Sequence, residues 1–225
     1  MMKVGTLTIG QSPRVDIIPE IREVLGPGVE IVEKGALDGL DLDDVKEFYP
    51  EPTDYILITR MRDGSEVKVA ERHIIERMKR CISNFEEEAA VDLIILLCTG
   101  EFPDIESQKI VLRPDRVMLR TVQGIMDRGK MGVVVPLPDQ VPQLRKRWET
   151  LNLQLFMEAV SPYAGTDEEL KEVAGRIKAL DVDLIVLDCL GFGKTTKAIF
   201  REVTRKPVLL PRTVVGRIAR EMLGI

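Results

Sequence analysis

Residues 91–100 read Val91-Asp-Leu-Ile-Ile-Leu-Leu-Cys-Thr-Gly100, and residues 182–191 read Val182-Asp-Leu-Ile-Val-Leu-Asp-Cys-Leu-Gly191. Seven of the ten positions are identical, at an offset of 91 residues. Aliphatic strands resemble one another, so the apolar matches carry little. The shared Asp92/Asp183 ahead of each run, and the shared Cys-x-Gly behind it (Cys98-Thr-Gly100 and Cys189-Leu-Gly191), carry more. A continuous apolar run bounded in this way has no polar face. It therefore predicts a strand covered on both sides, as in a parallel sheet.

Two further apolar runs open with Lys3-Val-Gly5 and Lys130-Met-Gly132, a weaker match. From each of these lysines to the cysteine of its half is 95 residues in the first and 59 in the second. The excess of 36 corresponds to a hairpin over 55–59 and 66–70, signalled by the turn Asp63-Gly64, with its flanks. Elsewhere strand and helix alternate. Residues 4–9 predict a strand, and Ser12 with Pro13 read as the cap and first residue of a helix over 13–25 whose core face is Val15, Ile18, Ile21 and Leu25. Residues 29–33 predict a strand, 42–48 a short helix and 74–89 a long one. In the second half, strands over 131–135, 153–159, 184–187 and 208–210 alternate with helices over 139–150, after a Thr166–Glu169 capping box, over 195–202, and after Thr213 as cap with Val214, Ile218 and Met222 inward.

This alternation predicts an α/β protein: two Rossmann- or flavodoxin-like lobes of mostly parallel sheet, related by pseudo-twofold symmetry, with a ligand cleft between them. Open parallel sheets bind ligands beyond the carboxyl ends of their strands, where both cysteines fall. The lobes are expected over 1–121 and 122–211, with residues 212–225 open to packing back on the first.

The 225 residues include 32 Lys and Arg against 37 Asp and Glu, a net charge of −5, with 4% aromatics. An acidic chain without a basic stripe is not expected to bind nucleic acid. Three cysteines and one histidine are too few for a disulfide framework or a zinc site, so no metal is expected and the compartment is read as cytoplasmic. The longest uncharged stretch, residues 4–13, is ten residues, against the ~20 that span a bilayer. No signal core follows Met1 and Lys3, and no membrane association is expected.

Leu187-Asp-Cys-Leu-Gly-Phe192 is similar to the second-cysteine motif of hydantoin-racemase-like members of the aspartate/glutamate racemase superfamily, and Cys98-Thr-Gly100 matches the position of its first cysteine. More closely, Leu7-Thr-Ile-Gly10 with Pro13, Gly132-Val-Val-Val-Pro136 and Asp188-Cys-Leu-Gly-Phe192 resemble the landmarks of the AroM family over essentially the whole chain. The resemblance implies an Asp/Glu racemase-like fold and cofactor-independent racemase, isomerase or decarboxylase chemistry on a small carboxylate. It also implies a link to aromatic amino-acid (shikimate) metabolism, after which the family is named, and a homodimer, since superfamily members are often dimers. The chain departs from the amino-acid racemases in two places. They show Cys-Asn-Thr where this sequence has Cys98-Thr-Gly-Glu101, and a histidine near the second cysteine where this sequence has none, its single histidine being His73.

On that resemblance Cys98 and Cys189 are the expected catalytic acid and base. Expected binding groups are the backbone N–H groups of Thr99, Gly100, Leu190 and Gly191 for developing oxyanion charge, and Gln11, Ser12 and Arg14 for a substrate carboxylate. Ser12 is equally open to the reading as a helix cap. Lys194 and Thr195, at a helix start, are expected to hold one phosphate or carboxylate. Gly191-Phe-Gly-Lys-Thr195 is not a nucleotide P-loop, which needs glycine where Asp188 stands. Asp188 would raise the Cys189 thiol if its side chain faced it. The remaining candidates have blander readings: Cys81 packs with Met78 and Ile82, His73 is solvated, Arg60 and Arg62 either reach the cleft mouth or are solvated at the hairpin turn, and Glu86–Glu88 is a solvated helix end. The rival to an enzyme is a non-catalytic module on the same scaffold that binds a small metabolite.

Overall fold

In the computed structural model, which describes residues 2–225, the chain opens with strand β1 (Met2–Thr8), helix α1 (Ile18–Leu25) and strand β2 (Val29–Gly35). Helix α2 (Leu42–Lys46), a hairpin of β3 (Ile56–Arg60) and β4 (Glu66–Ala70), helix α3 (Glu71–Asn84) and a π-helical turn (Phe85–Ala89) follow. They lead to β5 (Leu93–Leu96) and the two-residue strand β6 (Val111–Leu112). Then come helix α4 (Pro114–Ile125), β7 (Lys130–Val135), α5 (Val141–Trp148), β8 (Gln154–Ala159), α6 (Asp167–Ala179), β9 (Leu184–Leu187), α7 (Lys194–Thr204), β10 (Val208–Leu209) and α8 (Pro211–Leu223).

The strands form two parallel four-stranded sheets, β2-β1-β5-β6 and β10-β9-β7-β8, with β3 and β4 paired antiparallel on their own. The two sheets share one order: the first strand is central, the second lies on one side, and the third and fourth lie on the other. The hairpin stands outside this shared order. The chain divides into a first unit, the residues up to Asp115 with Val215–Ile225, and a second unit, Arg116–Val214.

The lysines and aspartates shared by the two copies of the repeat set strand register. The Lys3 N–H donates to Asp92 Oδ2 at 2.7 Å while the Asp92 N–H donates to the Lys3 carbonyl at 2.8 Å. Lys130 and Asp183 make the same exchange, at 2.8 Å and 2.8 Å. The glycines two residues on admit a helix side chain onto the sheet: a Cβ on Gly5 would lie 3.0 Å from Phe85, and one on Gly132 would lie 3.1 Å from Ile177. Phe85 is fully buried, a contribution of about 2–3 kcal/mol from area removed from water.

In the first unit Leu7, Ile94 and Leu96 pack with Leu57 of the hairpin and with Ile74, Met78 and Ile82 of α3. In the second, alternation along β9 splits the core between two faces. Ile185 and Leu187 join Val173 and Ile177 of α6 and Phe200 of α7, while Leu184 and Val186 join Met118 and Val122 of α4 and Trp148 of α5. The end of α8 returns to the first unit, where Arg220 Nη1 donates to the Val24 carbonyl at 3.2 Å and a Cβ on Gly216 would lie 3.1 Å from Val24.

The first and last helices differ from expectation. α1 begins at Ile18 rather than Pro13, so Ser12 caps nothing and Val15, ahead of the helix, is 76% exposed. The chain over 13–17 is held instead by side chains described below. α8 begins at Pro211, which leaves Thr213 inside its first turn with its hydroxyl donating to the Leu210 carbonyl at 3.0 Å. Its inward stripe is Arg212, Val215 and Ala219, and Met222 is exposed. The capping box is as predicted: the Thr166 hydroxyl accepts from the Glu169 N–H at 3.2 Å, and Glu169 accepts from the Thr166 N–H at 2.8 Å.

Candidate functional site

In a sheet ordered in this way, the loops after the first and third strands diverge and leave a crevice at their carboxyl ends. In the first unit those loops carry Gly10–Arg14 and Cys98–Gly100. Leu97, the residue after β5, is tied to β1 by its N–H to the Leu7 carbonyl at 2.7 Å. Cys98 is half-buried beyond it, and Thr99 and Gly100 are buried. The Gly100 N–H donates to Cys98 Sγ at 3.2 Å. A Cβ at Gly100 would lie 2.7 Å from Leu57 of the hairpin, so only glycine fits here without displacing it. The hairpin side also supplies Tyr55, whose hydroxyl accepts from the Glu101 N–H at 3.1 Å.

The residues expected to bind a carboxylate are brought to this end of the sheet, and the structure gives each of them partners within the unit. Ser12 donates to Asp38 through its N–H at 2.8 Å and its hydroxyl at 2.6 Å. Gln11 Nε2 donates to the Leu40 carbonyl at 2.7 Å, and its Oε1 accepts from the Arg62 N–H at 2.7 Å. The Arg62 guanidinium in turn donates to the Ser12 carbonyl at 2.6 Å and 2.8 Å, so this arginine braces the loop. Arg14 is 3% exposed and grips Asp16 with two nitrogens at 2.9 Å and 2.8 Å, with Nη1 2.9 Å from the Thr8 hydroxyl.

The second unit repeats the sulfur geometry. The Asp188 N–H donates to the Val134 carbonyl of β7 at 2.7 Å, and Cys189 follows, 8% exposed, with the Gly191 N–H donating to its Sγ at 3.3 Å. A Cβ at Gly191 would lie 2.7 Å from Pro162 and 2.8 Å from Tyr163 of the loop after β8. Leu190 is buried. Lys194 and Thr195 open α7, half-buried and exposed respectively.

Asp188 does not face Cys189. Successive side chains alternate, so while Cys189 continues the Ile185–Leu187 face, the Asp188 carboxylate turns to the other. There it accepts from Arg147 and, at 2.7 Å, from Trp148 Nε1. Both members of the ion pair are buried. Two arginines not singled out from the sequence hold the cysteine loops. Arg212 donates to the Leu190 carbonyl through Nε at 2.9 Å and Nη2 at 2.5 Å, and to the Gly191 carbonyl at 2.9 Å. Arg113 donates to the Phe102 carbonyl at 2.7 Å and pairs with Asp115 at 3.0 Å. The available signal was a charged residue beside the proline that follows each fourth strand, Arg113-Pro114 and Pro211-Arg212.

Cys81 packs against the core of the first unit, as expected, with Sγ 3.7 Å from the Gly35 carbonyl. Burial pushes its thiol up, with the Asp38 charge adding and Lys34, Arg77 and Arg80 opposing. His73 is partly exposed and stacks on Phe48, centroids 5.1 Å apart. Among the described residues, no group of three or more His, Cys, Asp or Glu side chains is placed to hold a metal ion, and no helix is long and apolar enough to cross a membrane.

Two parallel-sheet units, each ending its third strand in a cysteine and glycine, define the fold class of the aspartate/glutamate racemases. The chain is similar to an allantoin racemase from Klebsiella pneumoniae (TM-score 0.65, 16% identity, covering 100% of this chain and 88% of that one). It is similar to a glutamate racemase from Aquifex pyrophilus (0.60, 17%, 98% and 84%). It is also similar to a maleate cis-trans isomerase from Nocardia farcinica solved with a covalently bound succinylcysteine intermediate (0.61, 14%, 100% and 93%). No curated protein matches the chain in sequence. The AroM protein family model matches residues 4–223, and the chain belongs to the AroM family.

Proposed function

We propose that this protein is a cofactor-independent racemase or isomerase of a small carboxylate, with Cys98 and Cys189 as its acid/base pair. The observation that carries the reading is the repeated contact at the ends of β5 and β9, where the N–H of the second residue after each cysteine donates to its sulfur. A donor aimed at a sulfur favours the charged form over the neutral one, and a base must be charged before it acts. The thiolate of one cysteine takes the α-proton and becomes a thiol. The electron pair left behind spreads into the adjacent carboxylate. The thiol of the other cysteine then gives its proton to the opposite face and becomes the thiolate. One C–H bond breaks, another forms, and the charge passes from one sulfur to the other, so the reverse reaction starts from the state the forward one leaves.

The names of the similar structures, racemases of allantoin and glutamate and an isomerase of maleate, support a small polar substrate. The Gln11–Arg14 loop and the start of α7, at Lys194 and Thr195, are the groups proposed to receive its carboxylate. The test is proton exchange. The protein is incubated in D₂O with a panel of amino, hydroxy and unsaturated acids. Deuterium at the α-carbon with inversion of configuration, the inversion lost in both Cys98→Ala and Cys189→Ala, is the expected result. No label across the panel, with tight binding of one acid retained, would leave the binding module as the correct reading.

A further inference from the structure

The Leu190 carbonyl and the Gly191 N–H belong to one peptide unit, and in a planar trans peptide they point in opposite directions. Arg212 takes the carbonyl, with Nε at 2.9 Å and Nη2 at 2.5 Å, and the N–H is directed at Cys189 Sγ at 3.3 Å. A second carbonyl, that of Gly191, accepts from Nη2 at 2.9 Å, so the fork holds two successive peptides and fixes the plane between them. Arg212 is 2% exposed. Its charge is therefore little screened and polarises the peptide it holds, which strengthens the donor on the far side.

We propose that Arg212 is a positioning residue for Cys189: it orients and polarises the Leu190–Gly191 peptide so that its N–H supports negative charge on the sulfur. The other charged pair of this loop, Asp188 with Arg147, lies on the opposite face and leaves this arrangement to Arg212. Lys194, at the start of α7, is the remaining cation of the same loop and stays in place in the test variants. In the first unit the helix place that matches Arg212 is held by Asp115, and Arg113, on the other side of the helix-opening proline, grips farther along, at the Phe102 carbonyl, four residues after Cys98. The device is thus direct in one unit and remote in the other.

This inference deepens the acid/base role proposed for Cys189, but its test needs no substrate, so the two readings fail separately. In the full-length protein, alkylation by iodoacetamide is followed residue by residue by mass spectrometry, in the parent and in Arg212→Lys and Arg212→Met. Loss of one charge-assisted hydrogen bond changes an equilibrium by about tenfold. The expected result is a fall of about that size in the Cys189 rate at neutral pH, with the Cys98 rate unchanged. The Gly191 amide proton resonance should shift upfield as its contact with sulfur loosens, while that of Gly100 stays in place. Arg212→Lys keeps the charge but not the fork, so it should fall between parent and Arg212→Met. Unchanged Cys189 reactivity in a folded variant would overturn the proposal. So would equal slowing of Cys98 and Cys189, or a failure of even Arg212→Lys to fold, since each makes the arginine a general support of the fold.

Discussion

Arg147 meets the Asp188 carboxylate on the face of the second sheet opposite to the thiol of Cys189, so the charge next to the cysteine in sequence is spent on α5. Trp148 adds its indole N–H to the same carboxylate at 2.7 Å, and the Arg147 guanidinium lies 5.1 Å from the centre of the Trp148 ring. The pair locks α5 to the end of β9, one residue from the sulfur.

Removing one partner of a buried ion pair strands the other. Asp188→Ala should therefore cost about 3–5 kcal/mol in urea unfolding, and replacing Asp188 and Arg147 together with apolar residues of similar size should recover much of that loss. A cost below about 1 kcal/mol for the single change would mean that the pair is solvated and does not lock the helix.

The register exchanges at the strand starts predict matched effects in the two units. Asp92→Ala removes an acceptor from the Lys3 N–H, and Asp183→Ala removes one from the Lys130 N–H. Each should cost about 1 kcal/mol, the usual net value of one hydrogen bond. A large effect in only one of the two, by chemical denaturation, would show that the copies have stopped using the aspartate in the same way.

Gly100 and Gly191 are required by space. Adding a methyl places it 2.7 Å from Leu57 in one unit and 2.7 Å from Pro162 in the other. Overpacking of this kind costs about 1–3 kcal/mol. Gly100→Ala and Gly191→Ala should lose that much stability and also slow alkylation of the adjoining cysteine, because the N–H moves with the loop. Gly28→Ala, where nothing lies within 4 Å, is the control and should leave both measurements unchanged.

Cys81 should be the slowest thiol at neutral pH. Burial raises its proton affinity, and Asp38 raises it further. The thiolate is the reactive form, so a raised thiol reacts less at a given pH and gains speed only as the pH climbs beyond the ordinary thiol range of ~8.5. Mass-spectrometric rates for the three cysteines from neutral to alkaline pH would show it. Cys81 reacting ahead of Cys98 and Cys189 at neutral pH would remove the ground for giving those two a special role.

The fold was legible because the duplication is written in residues with fixed tasks: the aspartate that sets register, the glycine that admits a helix side chain, the cysteine with its following glycine. Strand β6 was not legible, since its apolar run 110–112 lacks the bracketing prolines, Pro207 and Pro211, that marked the equally short β10. Helix α4 was not read either: its Met118–Val122 stripe lies among Arg116, Arg120 and Gln123. Ser12-Pro13 imitates a helix start, but Asp38 takes both donors of Ser12, and that competition arises from a residue on a different loop. In the site, Cys98 and Cys189 could be named from the repeat. Arg212 and Arg147 could not be given partners, because carbonyls and carboxylates brought together by folding leave no pattern along the chain.

The last eleven residues belong with the first 115, resting on Val24 of α1. A ribosome making this chain therefore releases the residues up to Asp115 long before that unit has the part of α8 that belongs to it, while Arg116–Val214 is one continuous stretch, made before Val215 is added. Until the codons for Val215–Ile225 are read, the flank of α1 lacks the contact that Arg220 makes with Val24. A nascent chain stalled short of Val215 should consequently be open to proteases at its beginning, far in sequence from the place where synthesis stopped.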